Sequence, residues 1–281
     1  MQPQARVFAV DGLELCAQQW GEEGQKPVLA LHGWLDNSAS FSELAPLLDQ
    51  LQFVALDLAG HGQSGHRPGA GPYNLWDDVA DVISVADALG WQNFSLVGHS
   101  RGAIVAALVA GAFPARIQSM ALIEGVFPPP ADAQAAPQQL ADSILKSREL
   151  ANKPLRIHSS LAAAVRARAQ GLFPLSDKAA EALTQRGVKA VEGGYVWSTD
   201  QRLLAPSSFY LTHEQVHAFI DRITARTRVI LASAGLGQRY PDIRAALTQF
   251  PHLDVQELDG GHHLHIEAQA VQVAELINDF I

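Results

Sequence analysis

A short apolar run, Phe94-Ser95-Leu96-Val97, leads through Gly98-His99-Ser100-Arg101-Gly102 straight into an apolar, Ala-rich helical pattern that lasts to Ala112. A strand that becomes a helix within so few residues must lie inside a sheet whose face that helix covers. The glycines flanking Ser100 let other chain segments pass close to a serine held in a tight, strained turn, which raises its hydroxyl above the sheet. Similar nearly continuous apolar runs at 28–31, 53–58, 119–123 and 229–232 suit parallel strands buried on both faces. Between them, Trp76, Val79, Val82, Ile83, Ala86 and Leu89 recur at helical spacing, with Asn74 before and Gly90 after as cap signals. Residues 6–20, interrupted by Asp11-Gly12, read as an antiparallel hairpin. The fold class is therefore α/β, with a mostly parallel sheet flanked by helices.

One stretch breaks the alternation. Residues 127–211 open with Pro128-Pro129-Pro130 and continue as mostly helical, Ala-rich sequence without a convincing buried strand. Strand-like runs then resume near Thr227 and at 253–258. The expected organisation is a core of residues 1–126 and 212–281, with 127–211 inserted between two of its strands as a helical lid. Composition narrows the partners: 29 acidic against 20 basic residues give a formal charge of −9, with no Lys/Arg block to follow a phosphate backbone. Nucleic acid is a poor partner for such a surface. The longest apolar run, 103–113, falls short of the roughly 20 residues that cross a bilayer, so no membrane partner is expected. The amino terminus lacks a signal-peptide pattern and Cys16 has no internal partner for a disulfide, which together fit a cytoplasmic setting.

The chemistry gathers around Ser100. A strand–turn–helix context is what a G-x-S-x-G nucleophile elbow requires. His32-Gly33-Trp34 follows the run at 28–31, where one backbone donor of an oxyanion hole is needed. The main-chain N–H groups of Trp34 and Arg101 are the expected pair, with His32, Gly33 and His99 bordering the substrate. Downstream, Gly260-Gly261-His262-His263-Leu264-His265 offers a base on a glycine-flexed loop, and His262, next to the glycines, is the expected one. His99 is a poor base because adjacent residues in a strand point to opposite faces.

These segments, with Asp57-Leu58-Ala59-Gly60-His61-Gly62-Gln63-Ser64, resemble the α/β-hydrolases over nearly the whole chain. Leu31-His32-Gly33-Trp34-Leu35-Asp36-Asn37, Gln185-Arg186-Gly187 and Asp200-Gln201-Arg202 resemble the serine hydrolase-like proteins among them. The resemblance implies an eight-stranded sheet and a hydrolase with a helical lid but no well-defined substrate; joined to the Ser100 site, it gives the expectation of a serine hydrolase acting on a small ester-like substrate through an acyl-enzyme, with no cofactor and no metal. C–C bond hydrolases or lyases with the same triad, and a ligand-binding protein on this scaffold, are the alternatives. Many relatives carry the triad acid in a Gly-x-x-Asp setting, but Ala234-Gly235-Leu236-Gly237 lacks it. Glu124, at the end of the run at 119–123, matches the place where other members carry their acid. Asp242 is the alternative. The oligomeric state is not legible in the sequence.

Two further motifs have plainer readings. His213-Glu214-Gln215-Val216-His217 has zinc-binding spacing, but Thr212 and Gln215 also make a helix capping box and no third ligand is evident. Gly60-His61-Gly62-Gln63-Ser64-Gly65 spells a dinucleotide fingerprint, yet Pro68, Gly69, Gly71 and Pro72 follow where a helix would have to start.

Overall fold

The computed structural model describes residues 2–281, the side chains of Pro241 and Asp242 excepted. Asp11 and Gly12 both adopt positive φ, 49° and 78°, the twist that joins β1 (Gln4–Val10) to β2 (Leu13–Trp20) as an antiparallel hairpin. The chain continues through β3 (Lys26–Leu31), β4 (Leu51–Leu56), α1 (Leu75–Ala88), β5 (Phe94–His99), α2 (Arg101–Ala112) and β6 (Ile117–Ile123). After the inserted segment come α6 (His213–Ile220), β9 (Arg226–Ala234), two short helices α7 (Leu236–Arg239) and α8 (Pro241–Leu247), β10 (Asp254–Gly261) and α9 (Ala270–Asn278).

Eight strands form one sheet in the order β1-β2-β4-β3-β5-β6-β9-β10. From β4 to β10 all neighbours are parallel, and β2 meets β4 antiparallel. Every residue of β4 and β5 is buried, as expected of strands covered on both faces. Successive side chains serve opposite cores: Leu29, Leu31 and Leu96 pack with Val82, Val105 and Val109 of α1 and α2, whereas Val28, Ala30 and Val97 pack with Phe41, Val273 and Ile277. This arrangement brings the ends of β3, β5, β6 and β9 together at one edge of the sheet, where the loops carrying the candidate residues emerge.

The inserted stretch holds α3 (Ala136–Ala151), α4 (Leu161–Ala169) and α5 (Asp177–Gly187), but it is not wholly helical. A small antiparallel pair, β7 (Val188–Val191) and β8 (Gly194–Trp197), stands apart from the main sheet. Its strands are short and mostly uncovered, so they lack the apolar run by which buried strands are recognised. The cue was Glu192-Gly193, with Gly193 at φ 84°, a turn between β-prone residues.

Two buried ion pairs tie this segment to the core. Arg186 Nη2 reaches Asp57 Oδ2 at 2.8 Å, with Asp57 wholly buried, and Arg168 Nη2 reaches Asp36 Oδ1 at 2.5 Å. Asp57 also accepts the Ser38 and Gln63 main-chain N–H groups. Arg202 pairs with Asp200 and donates to the Arg67, Gly69 and Gly71 carbonyls, stitching the proline-glycine loop to the insertion.

Candidate active site

Ser100 sits at φ 52°, ψ −114°, between the last residue of β5 and the first of α2. Such a conformation costs a non-glycine residue on the order of 1–3 kcal/mol and persists only when the surroundings impose it. Here they do. A Cβ at Gly98 would come within 2.6 Å of Ala103 N, one at Gly102 would overlap the Leu31 carbonyl, and one at Gly125 would lie 2.6 Å from the Ser100 carbonyl. The glycines of the motif are thus required by close backbone passage on both sides of the turn.

Ser100 lines a cavity of about 430 Å³ together with Gly33, Trp34, His99 and His262 from the core and Leu172, Phe173 and Trp197 from the insertion. Among the described residues, neither the Trp34 nor the Arg101 main-chain N–H is taken up by a backbone acceptor. The Leu35 backbone beside Trp34 is also left-handed, at φ 62°. The two side chains are engaged elsewhere: the Trp34 indole donates to the Leu203 carbonyl at 2.9 Å, and the Arg101 guanidinium pairs with buried Asp78 at 2.5 Å.

His262 Nδ1 lies 2.9 Å from Glu124 Oε2. A carboxylate accepts and does not donate, so the proton is on Nδ1 and Nε2 keeps the free lone pair. Burial holds the His262 pKa below its ordinary value, and the Glu124 hydrogen bond opposes that shift only in part. Phe173 of the insertion stacks on the imidazole, centroids 4.1 Å apart. No hydrogen bond joins Ser100 to His262 among the described residues, in keeping with the looseness such contacts show before substrate arrives.

Glu124 is fully buried and left-handed, at φ 55°. Its Oε1 accepts Ala232 N–H and its Oε2 accepts Leu236 N–H, both at 2.6 Å. The carboxylate therefore starts just past β6 but ends at the exit of β9. Gly235 explains how: a Cβ there would overlap the Glu124 carboxylate. Asp242 falls in α8, and its side chain lies outside the described residues.

One expected substrate neighbour belongs elsewhere. His32 does not line the cavity: its Nε2 accepts Leu58 N–H at 3.0 Å and its Nδ1 lies 2.7 Å from the Gly33 carbonyl, so the ring braces the loop before Trp34. His99 does line the cavity, with Nε2 donating to the His262 carbonyl at 2.9 Å. Its ring packs among those of His262, His263 and His265. Burial pushes the pKa values of His99 and His265 well below the ordinary range, so those two rings are neutral.

Asp36, His99 and His263 bring possible metal ligands within 4.8 Å of one another. Burial alone would raise the Asp36 pKa, but the Arg168 guanidinium and His263 hold it low. A dication there would sit against that guanidinium, so the set fits a charge-balanced brace better than a metal centre. At the zinc-like spacing, Thr212 and Gln215 form a capping box, and His217 Nε2 lies 3.1 Å from Gln249 Oε1. The Gly60–Gly65 stretch opens no helix, and a Cβ at Gly62 would meet the Asp57 carboxylate at 2.5 Å.

Residues 26–269 match the model of the alpha/beta hydrolase fold family. The chain belongs to that family. Among α/β hydrolases it is similar to the "Serine hydrolase-like protein" of Danio rerio, 33% identical across 95% of this chain and 85% of the relative. A crystal structure of a hypothetical protein from Pseudomonas aeruginosa PAO1 superposes with a TM-score of 0.93 at 43% identity, over 99% of both chains. The thioesterase domain from the curacin biosynthetic pathway gives a TM-score of 0.87 at 28% identity, also over 99% of both. Phe173, Arg168 and Gly235 are the contributors to this α/β-hydrolase site that sequence reasoning missed. The first two arrive from the insertion, and the third carried a signal only as the place where an acid was lacking.

Proposed function

We propose that this α/β hydrolase is a serine hydrolase that cleaves a small carboxylic ester or thioester through an acyl-enzyme. The observation that carries the reading is the convergence of a strained Ser100, a buried His262 with its Nδ1 2.9 Å from Glu124 Oε2, and one cavity shared by Ser100 and His262. His262 Nε2 takes the Ser100 proton as Oγ attacks the carbonyl carbon. Negative charge moves to the carbonyl oxygen, where the Trp34 and Arg101 N–H groups stabilise it without reorganising. His262 then returns the proton to the leaving atom, and the C–O or C–S bond breaks. Water, deprotonated by the same imidazole, attacks the acyl-enzyme and frees the acid and Ser100.

Glu124 fixes the imidazole in the tautomer whose Nε2 is basic and stabilises the charged ring that forms transiently. Phe173 and the buried histidines exclude water from around that ring. A serine nucleophile sets this chemistry apart from dehalogenases and epoxide hydrolases, which need an attacking carboxylate. A fluorophosphonate probe tests the reading directly. Wild type should be labelled on Ser100 and Ser100→Ala should lose both label and ester turnover, with melting temperature unchanged. Labelling elsewhere, or turnover that survives, would refute it.

A further inference from the structure

Ser100 and Trp34 also line a second cavity, of about 220 Å³. Its other walls include Trp76, Arg101, Ile104, Pro129 and Phe209. His262 borders only the larger space, and Arg101 borders only the smaller one. The Arg101 guanidinium is held by Asp78, so the smaller cavity offers mainly aromatic, proline and aliphatic surface. The larger one is bordered by Asp36, Arg156, Arg168 and His263 as well as its apolar roof.

The chemistry of acyl transfer decides which part of a substrate goes where. The tetrahedral carbon carries Ser100 Oγ, the oxyanion, the leaving group and the acyl chain. The oxyanion is committed to the main-chain N–H groups. The leaving atom must receive a proton from His262, so it has to lie within hydrogen-bond reach of that ring. That requirement puts the leaving group in the cavity His262 borders and directs the acyl chain to the second cavity that Ser100 borders. Resting on the serine-hydrolase reading above, we infer that the substrate joins a compact apolar acyl group, seated against Trp76, Ile104 and Phe209, to a leaving group of about twice its bulk under Leu172, Phe173 and Trp197. The enzyme is thus selective for short acyl chains and favours large alcohols or thiols.

Two ester series on the full-length protein test this. One holds the alcohol as benzyl alcohol and lengthens the acyl group from acetyl to octanoyl. The other holds the acyl group as acetyl and enlarges an unactivated alcohol from methanol through benzyl alcohol to naphthylmethanol. We expect kcat/KM to fall at least tenfold from butanoyl to octanoyl and to rise at least tenfold from methyl to naphthylmethyl. A methylene too many in an apolar pocket is worth about that order of discrimination. Ile104→Phe should lower the butanoyl-to-acetyl ratio at least tenfold and leave the order of the alcohol series intact. Leu172→Trp should lower the naphthylmethyl-to-methyl ratio by a similar factor and leave the acyl order intact. The reverse pattern, or both variants shifting both series alike, would overturn the assignment. Fluorophosphonate labelling of each variant keeps the two failures apart. A labelled Ser100 with crossed preferences refutes only the pocket assignment, whereas an unlabelled wild type brings down the serine-hydrolase reading and this one with it.

Discussion

Replacing Glu124 by Gln changes one atom's chemistry inside a set of three donors. The carboxylate accepts Ala232 N–H on Oε1, and Leu236 N–H and His262 Nδ1–H on Oε2. A glutamine has one acceptor oxygen and one NH₂. With the oxygen facing Leu236 and His262, the NH₂ is pressed against the Ala232 N–H. Turned the other way, it faces Leu236 N–H and forces His262 Nδ1 to become the acceptor, which moves the proton to Nε2 and disables the base. Either state leaves a buried donor unmatched, at a cost of about 1–3 kcal/mol, a few degrees of Tm in a chain of this size. The second state, which keeps Ala232 paired and gives the amide a ring acceptor, resembles the wrong-tautomer defect of the worked protease triad, on the order of 10⁴ in turnover. That corresponds to about 5 kcal/mol of barrier. The assay is kcat for a small acetate ester across pH 5–9, beside a thermal melt. Because Glu124 raises the His262 pKa against burial, the residual activity of Glu124→Gln should titrate at lower pH than wild type. Turnover within tenfold of wild type, or a midpoint that stays in place, would refute the role assigned to Glu124.

Asp242→Asn should change turnover less than threefold, since His262 Nδ1 already has an acceptor; a larger loss in a steady-state assay would reopen the choice of acid. Gly235→Ala should displace the Glu124 carboxylate, and misplacements near 1 Å in such sites cost about 10²-fold; an alanine variant with full kcat would show that the carboxylate has room to move. Wild-type activity should rise with pH to a plateau, with its midpoint below the ordinary histidine value near 6.5, because burial favours the neutral ring; a midpoint above 7 in a chemistry-limited assay contradicts this. His32, His61, His99 and His265 are likewise depressed by burial. Between each folded value and about 6.5 the unfolded chain binds more protons, so stability is complete above that pH and falls as the solution is acidified; a Tm unchanged from pH 7.5 to 5 would argue against it. Arg186→Met leaves Asp57 buried and unpaired, with an expected loss of about 3–5 kcal/mol, measurable by denaturant unfolding.

The sheet was legible because its strands obey one rule at a time. The strands at the middle of the sheet are covered on both faces, so their sequences are continuous apolar runs. The edge strand β10 alternates between partly buried and exposed residues, and its start and end were correspondingly the least sharply marked. The inserted hairpin was missed because four-residue strands with little buried surface leave no periodic signal, only a glycine turn. Arg168 and Phe173 were beyond reach for another reason. Their partners, Asp36 and His262, lie far away in sequence, and no local pattern reports which helix of an insertion folds back over which loop.

The candidate site was legible for the opposite reason, because its residues break local rules. Ser100, Glu124 and Leu35 are left-handed without being glycine, and each stands where a strand of the sheet ends or where the loop after it begins. Only the first announced itself, through its flanking glycines. Glu124 was found by the lack of an acid after Gly235, and the structure gives the physical link: a β9 loop bearing a side chain at 235 would exclude the carboxylate that reaches across from β6. The place of the candidate acid and the identity of residue 235 are therefore linked. A chain with its acid on the β9 loop would not need a carboxylate at 124, while this chain, keeping glycine at 235, holds a long carboxylate just past β6, fixed by the Ala232 N–H of β9 and the Leu236 N–H at the start of α7.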